Sequence, residues 1–198
     1  LEARVKAIEA TGLGIGWIGH ECDYGKAYQF RYPDGHVCEL YFDTHKYRAE
    51  GEAKSALKNT YSRFPGRGMN VRRFDHLNLL AKDIHAFRDF QFGVLGGRMT
   101  ETIVFEDGPK GVWVSVNSKS YDLAITEDHS GLNARFHHLT YAVNSREEVL
   151  LAADIALENG VFIETGPHKH AIQQTFFLYV YEPGGNRIEV ANPTARLI

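Results

Sequence analysis

Two stretches of this chain begin alike, and that likeness narrows the available folds more than any other feature. Phe74-Asp75-His76-Leu77-Asn78-Leu79 and Phe136-His137-His138-Leu139-Thr140-Tyr141 each read as a short strand with an aromatic residue and a histidine at matching positions. Each leads into an apolar-periodic helix, Ile84 to Phe92 closing at Gly93 and Arg146 to Asn159 closing at Gly160. Strands follow in both. The run Glu182-Pro-Gly-Gly-Asn-Arg-Ile-Glu189 also echoes Tyr32-Pro-Asp-Gly-His-Val-Cys-Glu39 near the start. Three sibling modules result, one incomplete and two whole.

The incomplete module opens with an amphipathic helix, Leu1 to Thr11, that places Val5 and Ile8 on one face. After Gly12 to Gly16, Lys26 to Tyr32 alternates as a strand, Pro33-Asp34-Gly35 turns the chain, and Val37 to Phe42 returns. From Asp43 to Arg73 the texture becomes charged and small, with Phe64-Pro65-Gly66-Arg67-Gly68, and predicts a helical connector followed by a loop. The expected division is 1–48 as the remainder of an N-terminal domain without metal, 49–70 as connector and 71–198 as the catalytic domain. Because the chain opens on Leu1 already inside a helix, it is expected to continue a longer one.

With 198 residues, 43% of them apolar, a real core can be buried. The formal net charge of −3 and the short basic runs exclude the electrostatic footprint of a nucleic-acid binder. No stretch nears the ~20 apolar residues of a membrane span and no leader pattern opens the chain, so a soluble protein is expected. Cys22 and Cys38 are too few for a disulfide framework and read as reduced thiols of a cytoplasmic protein. Ten histidines, several inside strand-like segments, point to a metal.

If the two whole modules pack about a pseudo-twofold axis, His76 and His138 converge, and Glu189 reaches them from the last strand. Two imidazoles and one carboxylate leave open positions on the ion, the arrangement of non-haem iron(II) oxygenases. Alternation puts His76 on one face with Phe74 and Asn78. Taken singly, each histidine reads as a hydrogen-bonded core residue and Glu189 as an edge charge. Their recurrence in sibling modules favours the ligand reading.

These residues resemble the type I extradiol catechol dioxygenases of the vicinal oxygen chelate superfamily, catechol and homoprotocatechuate 2,3-dioxygenases in particular. Tyr179-Val-Tyr-Glu-Pro-Gly-Gly-Asn-Arg-Ile-Glu189 resembles the extradiol signature, and the Phe74 and Phe136 segments match its other ligand strands. The resemblance implies an α+β fold of paired βαβββ modules with the N-terminal module incomplete. It implies iron(II), or manganese(II), held by His76, His138 and Glu189, with O2 as co-substrate, a small catecholic substrate and a homo-oligomer. Glu39 then resembles a relic without metal. The resemblance further gives His170 as general acid or base, with His168 nearby, Tyr179 as the hydroxyl that helps deprotonate the catechol, and Asn78 and Trp113 as substrate-pocket residues.

The pattern breaks at Ser120-Tyr121-Asp122-Leu123-Ala124, where Tyr121 takes the place of the family's histidine beside the oxygen site. A tyrosine, with a reference pKa of about 10, offers only a neutral hydrogen bond there. A substrate group doing the histidine's work is favoured over a slower reaction or replacement by His129. Thr165 stands where homoprotocatechuate enzymes carry a carboxylate-binding arginine, which favours a 3-substituted or alkyl catechol. Two other readings compete: a vicinal oxygen chelate isomerase or thiol transferase, whose second ligand glutamate has no match between Val112 and Thr126, and a metal-free aromatic-binding module of the bleomycin-resistance kind.

Overall fold

The computed structural model describes residues 1–19, 25–58 and 68–193. Cys22 and most of the Phe64 to Gly68 loop lie outside the described residues. Helix α1 (Glu2–Glu9) precedes an antiparallel sheet of β1 (Gly14–Ile18), β2 (Ala27–Arg31) and β3 (Val37–Tyr41), in that order. Two further units follow: β4 (Arg73–Ala81), α2 (Ile84–Gly93), β5 (Arg98–Phe105), β6 (Gly108–Ser115) and β7 (Leu123–Glu127), then β8 (Arg135–Ala142), α3 (Arg146–Glu158), β9 (Ile163–Lys169), β10 (Phe176–Tyr181) and β11 (Arg187–Asn192). Their strands form one eight-stranded sheet in the order β5-β6-β7-β4-β8-β11-β10-β9.

That order is the βαβββ repeat doubled. In each unit the last strand pairs parallel with the first, β7 with β4 and β11 with β8, and the first strands of both units join antiparallel at the centre. The helices cover one face of this sheet and leave the other free for a site. Asp83 and Ser145 cap α2 and α3, their side chains accepting the amides of Ala86 and Glu148 at 2.9 and 3.3 Å. Gly160 ends α3 with φ 66°, as the sequence predicts. After α2 the left-handed residue is Gly96, φ 74°, and Gly93 remains helical.

The N-terminal helix and sheet do not stand apart from the first unit. Val5, Ile8, Tyr28, Phe30 and Tyr32 share one core with Ile84, Phe87 and Phe90 of α2 and with Leu79, Val112, Val114 and Ile125 of the sheet beneath. Tyr32 stacks on Phe87 at 4.2 Å between centroids. A second core joins Val149, Ala152, Ala153 and Ala156 of α3 to Leu178, Val180 and Val190.

Three expectations change. The expected helical connector is, among the described residues, a single 3-10 turn at Gly51–Ala53, consistent with small and charged residues that offer no apolar face. Strand β1 was hidden in a glycine-rich run. Gly16, at φ 145°, lets the strand bulge against β2, and Gly14 leaves room for the Tyr28 hydroxyl, which a Cβ there would meet at 2.3 Å. Finally, Phe74 does not share the face of His76. The pairing jumps from Phe74↔Tyr141 to His76↔Thr140, so Asp75 is a bulge residue and Phe74 turns outward, 54% exposed.

The echo between the first segment and the last unit is visible as backbone. Tyr32 and Glu182 each accept from the amide of the residue three further on, Gly35 and Gly185, at 2.8 Å, and donate to His36 and Asn186. Both glycines have positive φ, 98° and 87°. Glu39, the counterpart of Glu189, accepts from Gln29 instead of joining a cluster of metal-type ligands.

Candidate metal centre

The ligand strands carry the site because two bulges re-aim them. Asp75 is the extra residue before His76, and His137, between the pairs Asn78↔His138 and Leu79↔Phe136, is the extra residue before His138. Each bulge keeps its histidine on the free face of the sheet. Glu189 pairs with Thr140 on the neighbouring strand and reaches the same point.

His76, His138 and Glu189 are 3%, 3% and 1% exposed, and one ligand atom from each lies within 4.8 Å of the others. The Nε2 atoms of His76 and His138 stand 3.3 and 3.4 Å from Glu189 Oε2. Ligands held ~2.1 Å from an ion and about 90–110° apart would be separated by roughly 3.0–3.4 Å, so the spacing fits a metal. His138 Nε2 is a buried nitrogen without a hydrogen-bond partner, an orphan that an ion would satisfy. Two imidazoles and a carboxylate suit iron(II) and manganese(II) equally.

The surroundings hold this geometry. His76 Nδ1 donates to Asp75 Oδ2 at 3.0 Å, and Arg73 donates to the other oxygen of that carboxylate. The bond fixes the ring so that Nε2 faces the cluster. Thr140 Oγ1 donates to Glu189 Oε2 and lies 2.9 Å from His76 Nε2. His170 Nε2 donates to Glu189 Oε1 at 3.0 Å, its ring stacked 3.6 Å above Phe177.

Electrostatics follow from this packing. Burial by itself would raise the Glu189 carboxyl, yet the imidazoles of His138, His170 and His76 hold it well below the usual carboxylate range. Burial opposes charge on His76, but Asp75 and Glu189 outweigh it and raise its pKa. Burial lowers His138, and burial together with His138 and Arg187 brings His137 down to about 3. The Tyr179 and Tyr121 hydroxyls are both raised, first by burial and next by the Glu189 charge.

The eight residues assigned to metal, catalysis or substrate pocket line one cavity of about 50 Å³: His76, Asn78, Trp113, Tyr121, His138, His170, Tyr179 and Glu189. Tyr179 OH lies 3.4 Å from His170 Nε2, and Asn78 Oδ1 accepts from Thr126. The Trp113 ring rests over Gly111, where a Cβ would sit 2.8 Å from it. Tyr121 meets the His76 ring edge-on at 4.6 Å. His168 turns instead to Thr165, at 3.0 Å, and His129 is an exposed partner of Glu127, absent from the cavity wall. The proposed replacement of the missing histidine by His129 is therefore not what the fold arranges.

Sequence reading missed Ile172 and Gln173, which also line the cavity, and the bridging role of Thr140. Strand alternation could have found Thr140, two residues beyond His138. Nothing in the sequence marks the loop pair. A larger cleft of about 460 Å³ lies between Arg135, His137, Glu164, Tyr181 and Arg187 and does not contain the triad.

The profile of the Glyoxalase/Bleomycin resistance protein/Dioxygenase superfamily matches residues 73–190, so the chain belongs to that superfamily. It is 39% identical over 198 residues to a metapyrocatechase of Geobacillus stearothermophilus, covering all of this chain and 61% of that protein. It is 36% identical over 195 residues to a manganese-dependent 2,3-dihydroxybiphenyl 1,2-dioxygenase of Geobacillus genomosp. 3, covering 96% of this chain and 62% of that protein. The chain thus spans about three fifths of the length of these curated relatives. Among solved structures, the 2,3-dioxygenase LapB of Pseudomonas sp. KL28 superposes with a TM-score of 0.83 at 25% identity, over 98% of this chain and 68% of that one. Homoprotocatechuate 2,3-dioxygenase of Arthrobacter globiformis shares the fold at a TM-score of 0.79 and 23% identity, over 98% of this chain and 58% of that one.

Proposed function

We propose that this chain is the catalytic portion of an extradiol dioxygenase that inserts both atoms of O2 into a catechol beside its diol. The observation that carries this reading is the buried triad of His76, His138 and Glu189 opening onto a cavity that also holds His170 and Tyr179. Iron(II), or manganese(II) as in the Geobacillus relative, would be held by the triad and would supply Lewis acidity toward the diol oxygens and redox chemistry toward O2.

The chain's own residues do the rest. His170, hydrogen-bonded to Glu189 and next to the Tyr179 hydroxyl, takes a proton from the catechol and returns it to the ring-opened product. Tyr179 stays a neutral phenol and donates to the anionic ring oxygen. Asn78, its carbonyl occupied by Thr126, turns its amide donors to the same ring, and Trp113 forms the wall that holds the ring flat. Tyr121 offers the oxygen side a neutral hydroxyl only, which leaves charge stabilisation there to the substrate.

The proposal extends to the arrangement of the chain: a metal-free N-terminal part over 1–48, a connector over 49–70 and a catalytic part over 71–198, working as a cytoplasmic homo-oligomer without nucleic-acid or membrane partners. No helix among the described residues is long and apolar enough to cross a membrane. Anaerobic loading with iron(II) or manganese(II), addition of a catechol panel and exposure to air should give a yellow ring-opened product, absent in His76→Ala. One bound metal per chain with no product from any catechol would overturn the reading.

A further inference from the structure

The cavity is too small for its proposed substrate. About 50 Å³ holds one or two waters, whereas pockets for ring-sized ligands run to roughly 300 Å³ and more. Some wall must give way. His76, Asn78, Trp113, His138, Tyr179 and Glu189 sit on strands held in ladders on the central sheet. Ile172 and Gln173 sit instead on the loop between β9 and β10, closed at its base by His170 N donating to Thr175 O at 2.9 Å.

That loop carries two marks of a site awaiting a ligand. Gln173 and its neighbour Gln174 both hold positive φ, 60° and 61°, a region that side-chain-bearing residues seldom occupy. The Gln173 Nε2 is buried without a hydrogen-bond partner, although its residue faces the cavity. An unsatisfied buried amide is costly, and a ligand acceptor reaching it would relieve that cost.

Resting on the catechol reading above, we infer that the loop 171–174 moves to admit the ring and that Gln173 is a specificity-determining residue, donating its amide to a neutral oxygen substituent of the substrate. A carboxamide carries no charge, so it suits a hydroxyl, ether or carbonyl oxygen better than a carboxylate, which calls for arginine. Ile172 beside it supplies apolar contact for the rest of the substituent. The substrate class is then an oxygen-substituted catechol rather than an alkyl one, which drops the alkyl alternative from the expectation drawn from Thr165.

The test is anaerobic calorimetry on the manganese(II)-loaded chain, which reads binding without turnover. The ligand pairs are pyrogallol against 3-methylcatechol and 1,2,4-benzenetriol against 4-methylcatechol. In one pair the wild-type chain should favour the oxygen-bearing ligand about tenfold, the worth of one good hydrogen bond. Gln173→Met, unbranched and of similar volume, and Gln173→Leu, which also lacks a hydrogen-bonding group, should each abolish that preference. Metal content, measured in parallel, reports that each variant is folded. An unchanged ligand ratio in the variants, or no wild-type preference in either pair, would overturn the role of Gln173 while leaving the catechol reading intact. Failure of every catechol to bind a metal-replete chain would remove that reading and this inference with it.

Discussion

The two units of the large sheet use one device and fill it differently. Each first strand bulges just before its histidine, but the bulge residue is Asp75 in the first unit and His137 in the second. Two residues beyond each histidine stand Asn78 and Thr140, and the residues paired with them across the parallel ladder are Ala124 and Glu189. The ligand glutamate is therefore present once, in the second unit, and a methyl group occupies its sibling's place. A duplicated scaffold with a glutamate at both positions would enclose the ion with four protein ligands. With one, the first unit's side of the site is left to Ala124, Trp113 and Tyr121, and under the proposed function that is where substrate and O2 would enter.

The most severe way to break this asymmetry is to remove the single glutamate. Glu189→Ala deletes one ligand and strips Thr140, His76 and His170 of their shared acceptor. Metal binding should fall by at least a thousandfold, checked by metal content after dialysis against a weak chelator, with circular dichroism reporting the fold. Retention of one tightly held metal in this variant would show that Glu189 is not a ligand.

The reverse experiment restores the symmetry. Ala124 lies opposite Asn78 as Glu189 lies opposite Thr140, so Ala124→Glu should place a second carboxylate at the ion. Metal should be held more tightly, and anaerobic catechol binding should weaken about a hundredfold because the open positions are filled. Catechol affinity unchanged by this substitution would mean that the open face of the ion lies elsewhere.

A third substitution separates the ligands from what aims them. Asp75→Asn keeps the shape of the bulge but weakens the charge-assisted bond to His76 Nδ1. Loss of such a supporting partner typically costs 10–100-fold in metal affinity. A competition titration against a fluorescent chelator measures it, and an effect under threefold would assign the orientation of His76 to Thr140 instead.

How much of this the sequence disclosed depends on the distance over which each feature is encoded. Helices α2 and α3, the paired modules and the turn before Glu189 are written in local periodicity and turn residues, and they were legible. The triad was legible because recurrence in two modules ties His76 to His138, residues that no local pattern connects. The bulges were not, since a bulge is a mismatch between two strands and neither strand alone records it; Phe74 was accordingly placed on the wrong face. Strand β1 was obscured because the glycines that permit its bulge and its contact with Tyr28 also erase its alternation. The shared core of α1, β2 and α2 joins segments more than fifty residues apart, and composition gives no hint of it.

The smallest effect belongs to His137, and it sharpens the contrast with Asp75. Both are bulge residues beside a ligand, and His137 Nδ1 lies 2.5 Å from His138 Nδ1 as Asp75 lies beside His76 Nδ1, but its depressed pKa makes it a neutral partner where Asp75 is a charged one, and Arg187 Nη1 stands 3.1 Å from the same nitrogen. Arg187 is held independently by Glu164 and lies 3.9 Å over the Tyr179 ring. His137→Asn should therefore leave metal affinity within about threefold, while lowering stability by about 1 kcal/mol through lost packing and one weakened hydrogen bond. Urea denaturation and the chelator titration read the two quantities separately. If His137→Asn weakened metal binding as much as Asp75→Asn, the second bulge would be positioning its ligand too, and the units would differ only in which one carries the glutamate.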